Sequence, residues 1–61
     1  MSTKLIFKRE VKPNVFVICT HRHPANEFQI QLQHADGIKY QSTNEPSRAV
    51  ELIKQYLAEA L

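Results

Sequence analysis

The stretch Glu27-Phe28-Gln29-Ile30-Gln31-Leu32-Gln33-His34 decides the fold. Phe28, Ile30, Leu32 and His34 alternate with Gln29, Gln31 and Gln33. A period of two places one set on a buried face and the other on a wet one, which is the pattern of a half-buried strand. Turn residues bound it on both sides: Pro24-Ala25-Asn26 before, Ala35-Asp36-Gly37 after.

Working outward toward the C-terminus, Ala35-Asp36-Gly37 reads as a three-residue hairpin loop, a type I turn closed by glycine. That loop pairs His34 with Ile38, Leu32 with Tyr40 and Ile30 with Ser42, so the apolar sides match. A two-residue Asp36-Gly37 loop sets Leu32 opposite Gln41 instead, and the longer loop is expected. Beyond it, Ala49, Val50, Ile53, Tyr56, Leu57, Ala60 and Leu61 follow helical spacing, with Arg48, Glu51, Lys54, Gln55 and Glu59 on the wet side. Asn44 is the expected N-cap, with Ser47 as the alternative.

Working toward the N-terminus, Val15-Phe16-Val17-Ile18 opens a second strand over residues 15–22, rich in β-branched and aromatic side chains. It is apolar on both faces and belongs in the sheet interior. Lys12-Pro13-Asn14 is a turn. Residues 3–12 alternate, with Leu5, Phe7 and Val11 on one side and Lys4, Lys8, Glu10 and Lys12 on the other. Ile6 and Arg9 break the alternation, as suits an edge strand. The whole chain, 1–61, is thus read as a single α+β domain: a four-stranded antiparallel β-meander with one C-terminal α-helix packed on one face (ββββα).

One helix covers one face, so function is sought on the other. Two registers of residues 15–22 are self-consistent. Either Phe16 and Ile18 face the helix, or Val15, Val17 and Cys19 do. Larger apolar area gains more from burial, which favours burying Phe16; a slip of one residue inverts the answer. In both cases Gln29, Gln31, Gln33, Lys39 and Gln41 are expected on the free face beside an apolar patch.

Charge narrows the partners. The chain carries eight Lys and Arg against six Asp and Glu, a net +2. Residues 1–26 hold Lys4, Lys8, Arg9, Lys12 and Arg22 against Glu10 alone, for +4; the remainder is −2. Gln can hydrogen-bond an adenine edge, and Lys or Arg can hold phosphate. The candidate binding residues are therefore Lys4, Lys8, Arg22, Gln29, Gln31, Gln33, Lys39 and Gln41. They suit nucleic acid first, and a protein partner or homodimer through the apolar patch second.

Other chemistries lack their parts. Cys19-x-His21-x-His23 has ligands on one side of a strand, but its outer α-carbons lie roughly 13 Å apart, too far for three comfortable zinc ligands. Cys19 has no second cysteine and no Gly-rich loop beside it; a buried small hydrophobe is its expected role. No paired carboxylates share a strand face. The expectation is no enzyme, no cofactor, no metal and no small-molecule substrate. No apolar run approaches about 18 residues, so no membrane span is expected. A lone cysteine and no visible signal peptide suit the cytoplasm.

The stretch Tyr40-Gln-Ser-Thr-Asn-Glu-Pro-Ser-Arg-Ala49 and the helix after it resemble the last strand and helix of the arm-binding domains of tyrosine integrases. They also resemble the N-terminal domains of HicB-type antitoxins. The likeness covers about a third of the chain and carries no functional residue over. The overall expectation is a small binding or regulatory protein, of the size of a bacterial or phage accessory factor.

Overall fold

The computed structural model describes residues 2–61. Strands β1 (Ser2–Lys12), β2 (Val15–His23), β3 (Glu27–His34) and β4 (Gly37–Thr43) form one antiparallel sheet in the order β1-β2-β3-β4. Helix α1 (Pro46–Ala60) packs on one face. This is the expected meander. No helix among the described residues is long and apolar enough to cross a membrane.

The turns follow from local chemistry. Asn14 and Asn26 take left-handed φ values of 66° and 51°, which the short polar side chain of Asn tolerates. Gly37 has φ 152°, and a Cβ placed there would meet nothing within 4 Å. Glycine is thus required there by the backbone and not by crowding.

The β3–β4 hairpin differs from expectation. His34 pairs with Gly37 across a two-residue Ala35-Asp36 loop, so Leu32 lies opposite Lys39 and Gln31 opposite Tyr40. Ile38, Tyr40 and Ser42 therefore join the Gln side, and Lys39 and Gln41 join the helix side. Apolar matching misjudged this register because Lys39 has its own reason to face the helix. Its ammonium bonds Glu59 at 2.9 Å and lies 5.4 Å from the centre of the Tyr56 ring, while its alkyl stem runs along apolar surface.

Strand β2 also corrects the favoured register. Val17 and Cys19 are buried under the helix; Phe16 and Ile18 are half-buried on the open side. The cause is fit. Val17 pairs with Leu32 and Cys19 with Ile30, and all four meet Ala49, Leu52, Tyr56 and Ala60 of the helix in one core. Tyr56 and Leu52 supply bulk from above, and Ile30 and Leu32 from the neighbouring strand, so β2 turns its smaller side chains into the space between them. Close packing, more than the area of any one residue, selects the face.

Strand β1 is an edge, as its broken alternation implied, and it carries two irregularities. The register shifts between Leu5 and Phe7 and again between Glu10 and Lys12. Such bulges reverse which side chains share a face. Leu5, expected beside Phe7, instead pairs with Thr20 on the open side, while Phe7 pairs with Cys19 and packs on the core.

The helix begins without the expected Asn44 cap. Glu45 holds the cap position with no side-chain bond, and Pro46 opens the first turn, where its missing N–H costs nothing. The Asn44 side-chain amide instead donates to the carbonyls of Ala25 and Asn26, at 3.3 and 3.1 Å. It ties the helix entry to the β2–β3 turn. Thr43 Oγ1 accepts from the Glu45 N–H at 3.1 Å.

Candidate interaction surfaces

The cross-strand pairs lay out the open face as four rows. From the β2–β3 turn downward they read Thr3–Arg22–Glu27, Leu5–Thr20–Gln29–Ser42, Lys8–Ile18–Gln31–Tyr40 and Glu10–Phe16–Gln33–Ile38. Of the eight candidate residues, this face brings together Lys8, Arg22, Gln29, Gln31 and Gln33. It does not carry Lys4, Lys39 or Gln41. Lys4 pairs with His21, whose ring stacks on Phe28 at 4.5 Å on the helix side. Gln41 pairs with Ile30 of the core.

The Gln row sits between apolar columns. Gln29, Gln31 and Gln33 are half-buried, and Gln33 Nε2 donates to Gln31 Oε1 at 2.9 Å. Phe16 and Ile18 flank the row on one side, Ile38 and Tyr40 on the other. Leu5, Ile38 and Tyr40 are 56, 63 and 61% exposed. Sequence reasoning missed Ile38 and Tyr40 here because it placed them toward the helix.

Charge on the open face cancels. Arg22 is paired with Glu27 at 3.1 Å, and Lys8 neighbours Glu10 along β1. Lys8 Nζ lies 5.4 Å from the centre of the Phe16 ring, within cation–π range.

The other side of β1 is different. Among the described residues, the ion pairs are Arg22–Glu27, Lys39–Glu59 and Arg48–Glu51. Lys4, Lys8, Arg9, Lys12 and Lys54 pair with no Asp or Glu side chain, and four of these five lie on β1. Lys4, Arg9 and Lys12 pair with His21, Val17 and Val15, so they project to the helix side, where β1 offers no carboxylate. The helix packs most on β3 and least on β1, leaving that flank open. Lys12 Nζ also donates to the Leu61 carbonyl at 3.0 Å. Arg9 and Lys12 were not among the candidate residues. The signal that could have found them was the shortage of acids in the first strand.

The Cys19–His23 segment divides. Cys19 is 1% exposed inside the core, and burial pushes its thiol pKa up. The rings of His21 and His23 meet edge-on at 4.3 Å, and His21 Nε2 lies 2.8 Å from Asn26 Oδ1. No group of three metal-ligating side chains converges among the described residues. His34, Lys12, Lys39 and Glu59 line an open cleft of about 350 Å³ at the C-terminal end of the helix. The hydrogen bond to Glu59, and next its charge, raise the Lys39 pKa. No family model, characterised protein or solved structure matches this chain.

Proposed function

We propose that this chain is a small non-catalytic nucleic-acid-binding domain that holds a phosphate backbone along the β1 edge. One observation carries the reading: four of the five basic side chains that pair with no Asp or Glu side chain gather on one strand. Lys4, Arg9 and Lys12 line its open flank and Lys8 its rim, against Glu10 alone. Cations without an Asp or Glu partner, gathered on one ridge, concentrate potential that a net +2 chain otherwise lacks. From Lys4 to Lys12, opposite His21 and Val15, the ridge spans about 20 Å, long enough to face several phosphates. Contact of this kind is independent of base sequence. The Gln row lies two strands away and takes no part in it.

The test is titration of labelled single- and double-stranded oligonucleotides at low and moderate salt. Neutralising about three phosphates predicts, for a tenfold rise in salt, a fall in affinity of roughly 500-fold on duplex and roughly 100-fold on single strands. Lys4→Glu and Arg9→Glu should each weaken binding across all sequences, while Lys54→Glu on the outer helix surface should not. Absence of binding at low salt, where charge is least screened, overturns the reading. So does binding lost equally in Lys54→Glu.

A further inference from the structure

We infer that the open sheet face is the seat of a second copy of this chain, packed face to face. The inference uses a different surface from the basic ridge and stands without it.

Three observations select the chain itself as occupant. The first is need. The core is a single layer of eight buried residues, Tyr56 and Ile30 the largest among them. The sole cysteine is free, so no disulfide reinforces it. Domains of this length are marginal, and a staple, a metal or oligomerisation is a common reinforcement. A sheet apolar on both faces, with a helix on only one, points to the last.

The second is area. Four strands about 4.8 Å apart, and four rows about 6.8 Å apart, give a face of roughly 19 by 27 Å. Two such faces in full overlap bury about 1,000 Å² together, the threshold for a specific interface.

The third is self-complementarity. A two-fold interface sets each patch against its own image, so a strongly charged face would repel itself. Here Lys8 and Arg22 balance Glu10 and Glu27, and Arg22 is already paired. The β1 flank, with three cations and no acid, fails that condition. Gln carries donors and an acceptor on one amide, so a Gln row can bond to its own image. The apolar columns of Phe16 and Ile18, and of Ile38 and Tyr40, supply the remaining contact. Edge-to-edge pairing is disfavoured on β1 by its lysines and its two bulges.

Sedimentation velocity and light scattering would be run from about 10 to about 500 µM, a span that covers a marginal interface. Salt should be moderate, so that the basic ridge is screened. The expected result is a doubling of mass with concentration. Ile18→Lys, which puts a charge at the centre of the face, should hold the chain monomeric. Tyr40→Ser should raise the dissociation constant at least tenfold. Tyr40 is 61% exposed, so that change leaves the monomer folded even if Ile18→Lys does not. Circular dichroism of each variant separates loss of fold from loss of pairing. A folded wild-type chain that stays monomeric at the highest concentration overturns the inference. So does a dimer indifferent to Tyr40→Ser and Ile18→Lys. Either failure leaves the oligonucleotide titration unaffected, because the ridge variants lie on the other side of β1.

Discussion

The two faces of the sheet are built from the same kinds of residue and differ in what they meet. On the covered face Val17, Cys19, Ile30 and Leu32 lie beneath Tyr56 and Leu52, with exposures of 6% or less. On the open face Leu5, Ile38 and Tyr40 keep more than half of their surface in water, and Phe16 and Ile18 keep part of theirs. Within β2 the smaller side chains, Val17 and Cys19, lie under the helix and the larger ones, Phe16 and Ile18, on the open side. Beneath Tyr56 and Leu52, and beside Ile30 and Leu32, β2 has room for Val17 and Cys19, and its bulkier residues are left half in water. Exposed patches of this extent on a small protein mark an interaction site more often than an accident of composition.

The difference between the faces can be broken with one pair of variants. Ile30→Ala leaves a cavity at a site with no exposure and should cost about 2–5 kcal/mol. That is most of what a core of this size supplies, about 3–5 kcal/mol, so the variant should be largely unfolded in urea titrations starting at room temperature. Tyr40→Ala on the open face should change the dilute monomer by no more than about 0.5 kcal/mol. Equal losses from the two would mean that the open face is packed in the monomer.

A sharper probe lies inside the covered face. The Tyr56 hydroxyl is buried and has no hydrogen-bond partner in the protein, a condition that costs about 1–3 kcal/mol. Tyr56→Phe removes the hydroxyl and keeps the ring against the sheet. The expected outcome is a chain equal to or more stable than the wild type, by up to about 1 kcal/mol. A rise in the urea midpoint without change of slope is the signature. A clear loss would show that the hydroxyl makes a contact of value.

How far the sequence carried these faces depends on the element. Strand β3 was legible because Phe28, Ile30 and Leu32 alternate with glutamines, and only one register buries them. The edge position of β1 was legible in Ile6 and Arg9, which break its alternation. The order of four strands and a helix followed from the punctuation by proline, asparagine and glycine. The faces of β2 and β4 were not legible. Val15-Phe16-Val17-Ile18 is apolar at every position, so its own pattern is silent on parity and the answer lies in the helix above it. In β4 the register turns on Lys39, whose preference for Glu59 and Tyr56 is a contact across 20 residues or fewer of chain. Of the candidate residues, Lys8, Arg22 and the three glutamines share a face. Lys4, Lys39 and Gln41 fell away through one bulge and one hairpin loop, each worth a single residue of slip.

The smallest expected effect also separates the faces, through the one thiol under the helix. Cys19 is buried, and removal from water raises its pKa above the ordinary 9.0. The folded chain therefore keeps this proton at a pH where the unfolded chain has begun to lose it. Stability rises with pH only where the unfolded state binds more protons; here it binds fewer. The thiol's contribution is thus complete below pH 9.0 and declines as pH climbs through the raised folded value. Cys19→Val keeps a small apolar group in the same place and removes the titration. The stability of the wild type relative to Cys19→Val should hold constant from neutral pH to pH 9.0 and fall above it, other alkaline titrations cancelling in the difference. Native Cys19 should also resist alkylation at neutral pH, with a rate that tracks opening of the core. A thiol on the open face, such as Thr20→Cys, should react much faster under the same conditions. Rapid alkylation of Cys19 in the folded chain, at the rate of Thr20→Cys, would place β2 in the other register and exchange the two faces.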